Sequence, residues 1–309
     1  MHKISRRLQS VIEERLNSKL TYKPIGHHNL GRHFVYLLRD EEDKEYILKV
    51  YGKEDRWCKE VVSLNLINKK IPCPKVIDKG RLDNGTEWLV LNKLPGVVLE
   101  SVWKDISLEN KKSILEDLGE LLATIHDSYR YSYYGPWKDC GPGVVNHINF
   151  LEHRKKHDKR IIKDILKQDI PNKEFLVKAY YEMVKYYEVL KSRDKTSMCH
   201  HDFSARNTLV VKKKGIWEIS GIIDFEHSYP NDPDIDFTDL YQTIFIEEPK
   251  FEFYFLQGYT KIRKLSEDFH QKIRYYLFNK GLLICSWAYE KAPDYFNEGM
   301  YLLKWLMEN

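Results

Sequence analysis

The chain has no apolar run near the ~20 residues that a bilayer-spanning helix requires. Its opening stretch, Met1-His2-Lys3-Ile4-Ser5-Arg6-Arg7, carries charge without the apolar core of a secretory signal. Both absences set the expectation of a soluble, cytoplasmic protein with no membrane partner. Cysteine is sparse and scattered: positions 58, 73, 140, 199 and 285 include no C-x-x-C pair. That argues against a disulfide framework and a zinc site, and for a reducing compartment. Charge of one sign is lacking too. Against 46 Asp and Glu stand 50 Lys and Arg, a formal net of +4, so bulk electrostatics gives no reason to expect nucleic acid as a partner. The densest basic patch, His153 to Lys167, alternates Lys and Arg with Ile and Leu, as the wet face of a helix does. Internal repeats and low-complexity linkers are also missing. What is present is a core: 42% hydrophobic and 13% aromatic residues over 309 positions suffice for one large domain or two modest ones sharing a cleft.

Local patterns divide the chain in two. Ile4 to Leu16 reads as a short amphipathic helix, with apolar residues at 4, 8, 11, 12 and 16. Phe34–Leu38 and Tyr46–Tyr51 alternate as strands about the charged turn Asp40-Glu41-Glu42-Asp43. A helical pattern from Glu54 to Asn68 stops at Ile71-Pro72-Cys73-Pro74, since proline cannot continue it. Val76–Asp78 and Glu87–Leu91 then suggest two more strands about Asp83-Asn84-Gly85. From about Ser107 the expectation is mostly helix, over 108–128, 147–168, 174–192, 234–245 and several aromatic-rich segments from 249 onward. The reading is α+β: a small β-rich lobe over 1–94, a hinge over 92–96 and a large helical lobe over 95–309, with a cleft as the expected ligand site.

One stretch interrupts the helical half. Cys199-His200-His201-Asp202-Phe203-Ser204-Ala205-Arg206-Asn207 is followed by a predicted hairpin, Thr208–Val211 and Ile216–Ile223 about Lys212-Lys213-Lys214-Gly215, and then by Asp224-Phe225-Glu226. A hairpin brings its feet together, so Asn207 and Asp224 are expected side by side, with Asp202 a few residues upstream. Two hard oxygen ligands and one carboxylate base are what a Mg-nucleotide phosphotransfer site requires. Asp202 is the candidate that receives or orients an acceptor hydroxyl proton. Asn207 and Asp224 are the candidate Mg²⁺ ligands. Taken singly, each is also an ordinary turn or strand-end residue. Lys49 sits among apolar neighbours in Ile47-Leu48-Lys49-Val50-Tyr51, where a lysine either reaches solvent or is held by an anion.

His200 to Asn207 resembles the H-x-D-x-x-x-x-N loop of protein-kinase-like enzymes. With Gly221-Ile222-Ile223-Asp224-Phe225 and Asn231-Asp232-Pro233-Asp234-Ile235-Asp236-Phe237, the sequence over roughly 20–260 is similar to the aminoglycoside phosphotransferase family. The resemblance implies a bilobal protein-kinase-like fold, a small-molecule kinase activity, Mg²⁺, and ATP or GTP as phosphate donor. It also implies that Lys49 contacts the nucleotide phosphates and pairs with Glu60. Leu91-Asn92-Lys93-Leu94-Pro95-Gly96 resembles a purine-binding linker, in which the Asn92 carbonyl and Leu94 amide read the base edge, Leu91 lines the pocket and Ile223 packs beneath the base. The segment from Gly26 to Gly31 stands where a phosphate-cradling loop is expected, though it departs from G-x-G-x-x-G. By the same likeness, His200 and Asp236 hold the catalytic loop. His201 stands in place of the glycine commonest there. No A-P-E-like segment follows the metal motif, which argues against a protein-kinase role.

The acceptor is a separate question. Acids and aromatics after Asp236, with Glu247 and Glu248 adjacent and Glu226 in the metal motif, suit a small cationic hydroxylated molecule. Helix core and solvated face account for the same residues equally well. The leading expectation is an aminoglycoside-like acceptor, which would make the protein an antibiotic-resistance enzyme. The alternatives are a housekeeping kinase of choline, an amino alcohol or a sugar, and a non-catalytic nucleotide-binding protein on a kinase-like scaffold. A monomer or weak dimer is expected.

Overall fold

The structure is a computed structural model describing residues 4–26, 33–52, 56–135, 137, 149–191 and 196–309. In chain order its helices are α1 (Arg6–Leu16), α2 (Arg56–Ile67), α3 (Leu99–Val102), α4 (Leu108–Ser128), α5 (Phe150–Lys167), α6 (Lys173–Val184), α7 (Thr238–Leu240), α8 (Lys250–Thr260), α9 (Phe269–Lys291) and α10 (Pro293–Glu308). Its strands are β1 (Thr21–Ile25), β2 (His33–Arg39), β3 (Glu45–Tyr51), β4 (Val76–Arg81), β5 (Glu87–Asn92), β6 (Val97–Val98), β7 (Arg130–Tyr131), β8 (Thr196–Cys199), β9 (Thr208–Lys213), β10 (Ile216–Ile222) and β11 (Tyr229–Asn231). The β-rich N-terminal part and helical C-terminal part are the α+β class expected. Among the described residues, those within 1–106, 137 and 206–228 form one compact unit, and those within 107–135, 149–205 and 229–309 form another. The expected helical lobe includes 95–106 and 206–228. They join the first unit because β6 pairs with β9, Val97 opposite Val210, and so carries the hairpin with it.

The first unit is built on an antiparallel sheet in the order β1-β2-β3-β5-β4. Strand alternation sends Tyr46 and Leu48 of β3 to one face and Ile47, Lys49 and Tyr51 to the other. On the first face, Tyr36, Leu38, Tyr46, Leu48, Trp88 and Val90 form a core with Leu8 and Ile12 of α1. Ser5 caps that helix, its hydroxyl accepting from the Leu8 N–H at 3.2 Å. The N-terminal amphipathic pattern thus serves to cover the sheet. β1 carries Pro24, which obscured it in the sequence. Proline is tolerated there because, among the described residues, β1 is an edge strand paired with β2 alone. The β9–β10 turn is tighter than expected: Ile216 pairs with Lys213, leaving Lys214 (φ 50°) and Gly215 (φ 89°) as the loop. Two successive left-handed residues match the twist of a two-residue hairpin.

In the second unit α4 and α8 cross at close range. A Cβ on Gly119 would strike the Phe255 carbonyl, and one on Gly258 the Glu116 carbonyl. α9 is buried along much of its length, from Phe269 to Ala288. A small sheet in the order β11-β8-β7 supports the loop after β8. The helix expected over 234–245 is instead a 3-10 turn (Pro233–Phe237), the single turn α7 and a π-helical turn (Tyr241–Phe245). Its start is bent by local polar bonds, the Asp232 carboxylate accepting the Asp234 N–H at 3.1 Å.

No helix among the described residues is long and apolar enough to cross a membrane. Cys73, Cys199 and Cys285 are free and buried, whereas Cys58 is disulfide-bonded. A bonded Cys58 runs against the expectation of no disulfide framework, because pairing depends on proximity in the fold and not on sequence spacing.

Candidate active site

Within the first unit, the face of the sheet opposite α1 opens onto a cavity of about 300 Å³. Its apolar wall comes from Ile25, Val35, Ile47, Leu91, Leu209 and Ile223, and its polar end from Lys49, Glu60, Asn207 and Asp224. Register accounts for this grouping. Lys49 pairs with Val35 on β2 and Leu89 on β5, and Ile47 pairs with Leu91, so one face of three strands converges. The hairpin supplies the rest. Ile223 donates its N–H to the Asn207 carbonyl at 2.9 Å, which holds the two feet together as expected. Asp224 then leaves β10 with φ 69°, a left-handed conformation that aspartate tolerates better than most residues.

Lys49 is only 6% exposed, yet three carboxylates surround it. Its Nζ lies 2.6 Å from Glu60 Oε2, 2.7 Å from Asp224 Oδ1 and 3.7 Å from Glu226 Oε2. Burial alone would drive the ammonium toward neutrality, but Asp224, Glu60 and Glu226 outweigh it and raise its pKa above the usual lysine value. Tyr51, two residues along on the same face of β3, donates its hydroxyl to Glu60 Oε2 at 2.6 Å. Glu226 is also buried. Its Oε1 is 2.8 Å from His33 Nε2 and 3.1 Å from His227 Nε2. Burial opposes its ionisation; the His227 and His33 bonds and the Lys49 charge prevail, holding its carboxyl below the usual range. The expectation that Glu226 faces a cationic acceptor is therefore not met, since its carboxylate is turned inward onto these three groups.

The linker residues Leu91, Asn92 and Leu94 line the same cavity. Asn92 is tied down on its outer side, donating its N–H to the Lys75 carbonyl at 3.1 Å and accepting the Lys75 N–H on Oδ1 at 2.5 Å. Ser220 donates its hydroxyl to the Pro95 carbonyl at 2.6 Å, anchoring the linker to β10. Gly26, at the end of β1, has φ 76° and open space where a Cβ would stand. Gly31, together with His27 and His28, lies outside the described residues.

Asp202 belongs to the second unit. Its N–H donates to His200 Nδ1 at 3.2 Å. The loop is held from below by Asp236, which accepts the His200 N–H at 2.6 Å, the His201 N–H at 2.7 Å and a bond with His126 Nε2 at 3.0 Å. Burial raises the Asp236 pKa, and the His126 bond with nearby imidazoles brings it below the ordinary aspartate value. His201 has φ 64° and stacks flat on Tyr229, ring centroids 3.9 Å apart. Glu247, also in this unit, accepts the Tyr301 hydroxyl at 2.5 Å, and Glu248 lies 3.9 Å from Lys250.

The structure thus gathers Lys49, Glu60, Asn207, Asp224, Leu91, Asn92, Leu94 and Ile223 about one cavity. His33, Tyr51 and His227 were missed by sequence reasoning. Tyr51 was legible from the i, i+2 rule applied to Lys49, and His33 follows once its register opposite Tyr51 is known. The donor set of Asn207 and Asp224 is hard oxygen, and Asp224 is one-third exposed at the cavity, which fits a magnesium ion.

A family model described as the phosphotransferase enzyme family matches residues 23–267. Among solved structures, a mutant of aminoglycoside phosphotransferase APH(4)-Ia in ternary complex with ADP and hygromycin B is similar with a TM-score of 0.72 and 15% identity, over 96% of this chain and 98% of that one. A GDP complex of an aminoglycoside 2'-phosphotransferase-IIIa mutant gives 0.72 and 16%, over 98% of this chain and 97% of that one. The GDP and kanamycin complex of APH(2")-IIIa gives 0.68 and 14%, over 99% of both. At these identities the likeness is one of fold. No curated protein matches the chain.

Proposed function

The chain belongs to the phosphotransferase enzyme family, and from that premise we propose that it moves the terminal phosphate of ATP or GTP to a hydroxyl of a small, cationic, aminoglycoside-like molecule. The observation that carries this reading is the Lys49 ammonium held between Glu60 and Asp224 in a cavity that Asn207 also lines. A fixed cation beside two oxygen ligands, below an apolar wall, suits a purine nucleotide with its phosphates at the polar end.

The first unit is then the nucleotide-binding part. Lys49, oriented by Glu60, meets the phosphates, and Gly26 at the end of β1 opens the sequence segment, ending at Gly31, that is proposed to bind them. Leu91 and Ile223 line the base pocket, and the Asn92 carbonyl and Leu94 amide read the base edge. Asn207 and Asp224 would hold Mg²⁺, which when bound offsets phosphate charge and orients the transferred group. Asp202 is the proposed catalytic residue. Its carboxylate accepts or orients the acceptor hydroxyl proton as the oxygen attacks phosphorus, and the bonds from His200 and His201 to Asp236 keep its loop in place. Glu247 and Glu248 offer the acceptor acidic partners. The solved relatives' complexes with hygromycin B and kanamycin favour an aminoglycoside, and those with ADP and GDP favour a nucleotide donor. A cytoplasmic enzyme conferring antibiotic resistance is the corresponding role in the cell.

The test is a steady-state screen of hydroxylated acceptors, aminoglycosides and amino alcohols included, with ATP and with GTP plus Mg²⁺, using Asp202→Asn as the blank. Turnover with an aminoglycoside that falls by at least about a hundredfold in the blank is expected, and Asp224→Ala should abolish it. Near-wild-type rates in Asp224→Ala would remove the metal assignment, and preference for a neutral or anionic alcohol would remove the cationic acceptor.

A further inference from the structure

Three carboxylates around one ammonium are more than a single buried cation needs. Glu60 and Asp224 already satisfy Lys49 at hydrogen-bond distance. Glu226 stands just beyond, and its two oxygens are used differently. Oε1 is bonded to His33 and His227. Among the described residues Oε2 is buried without a hydrogen-bond partner, and it lies 3.7 Å from Lys49 Nζ. A buried carboxylate oxygen left unbonded is costly, and here it is aimed at a cation already occupied by two others. The residue is not free to swing away, because imidazoles on β2 and in the turn after Asp224 grip the other oxygen.

The difficulty this resolves concerns Asp224. The same Oδ1 that binds Lys49 belongs to the proposed metal ligand, so a divalent cation and Lys49 compete for one carboxylate. If Lys49 simply lost Asp224, a buried ammonium would shed one of its two close partners as the metal arrived. We propose that Glu226 is the reserve counter-ion of Lys49, taking up the ammonium as Asp224 turns to the metal. No bond is made or broken covalently. One ion pair replaces another, and His33 and His227 keep Glu226 within reach throughout. Glu226 is therefore a positioning residue, acting on metal and nucleotide through Lys49 and Asp224. This inference rests on the nucleotide reading of the cavity.

The test measures nucleotide binding, not turnover. ADP and GDP are titrated by calorimetry into full-length protein, each with Mg²⁺ and with EDTA, for wild type and Glu226→Gln. The ratio of the two dissociation constants reports the metal's contribution. In Glu226→Gln, Lys49 keeps a firmer hold on Asp224, so the gain from Mg²⁺ should shrink about tenfold, while binding in EDTA changes less than about twofold. A purely structural role would weaken both conditions alike, and that result overturns the proposal, as does an unchanged ratio. Thermal melts without nucleotide check folding. Should Glu226→Gln fail to fold, Glu226→Asp serves, since it keeps the charge but withdraws it by one methylene; a smaller shift in the same direction is expected, and none overturns the proposal. Wild-type protein that binds neither nucleotide overturns the donor reading and this inference together. Wild-type binding that responds to Mg²⁺, with unaltered variants, overturns the inference alone.

Discussion

Single side chains in this protein do opposite things according to what surrounds them. Asp236 collects donors and stays ionised in full burial. Asp234, two residues earlier, is buried beside Asp232, and burial with that like charge pushes its pKa up to about 6 despite Lys272 at 3.2 Å and the Ser266 hydroxyl at 2.7 Å. A carboxyl raised in the native state holds a proton that the unfolded chain has already released. Its contribution to stability is therefore present at low pH and is lost as pH rises from about 4 through about 6. Asp234→Asn should remove that dependence: the stability of wild type relative to the variant is expected to fall across this window in urea titrations. A difference that instead rises with pH would contradict the assignment. Asn207 and Asp224 were legible as a pair because the two feet of one hairpin must meet, and Asp202 was legible as a candidate from its place in the preceding loop motif. The partners of Glu226 were not legible, since His33 reaches it from a different strand and no local pattern links the two.

Among elements, legibility followed local chemistry. The β2–β3 and β9–β10 hairpins declare themselves through alternation and charged or glycine-bearing turns, and the α1 stripe through its spacing. β1 did not, because Pro24 reads as a strand breaker until its edge position is known. The 234–245 segment reads as one helix by periodicity, but Asp232 and Asp236 spend their carboxylates on backbone N–H groups and break it. The α4–α8 crossing depends on two glycines whose significance appears only in three dimensions. Replacing Gly258 with Ala places a methyl against the Glu116 carbonyl. That should cost about 1–3 kcal/mol, measured as a lower urea midpoint with an unchanged slope, and a neutral result would mean that the two helices separate at no cost.

For the whole molecule, ligand and stability are linked. A nucleotide that binds the native state alone raises stability by about 2.7 kcal/mol at a hundred times its dissociation constant. Mg-ADP or Mg-GDP is thus expected to raise the melting temperature, EDTA to reduce that rise, and Asp224→Asn to diminish it. Equal melting curves with and without Mg-nucleotide would exclude the first unit as its binding site. The choice of asparagine follows from the backbone at this position. At φ 69° Asp224 occupies a conformation that asparagine shares most readily, so the replacement removes the carboxylate charge of the proposed metal ligand with little backbone penalty, whereas alanine imposes strain as well. Aspartate and asparagine codons differ by one base. On the proposed function, a single-base change at this codon would therefore silence phosphate transfer and still yield a well-folded product.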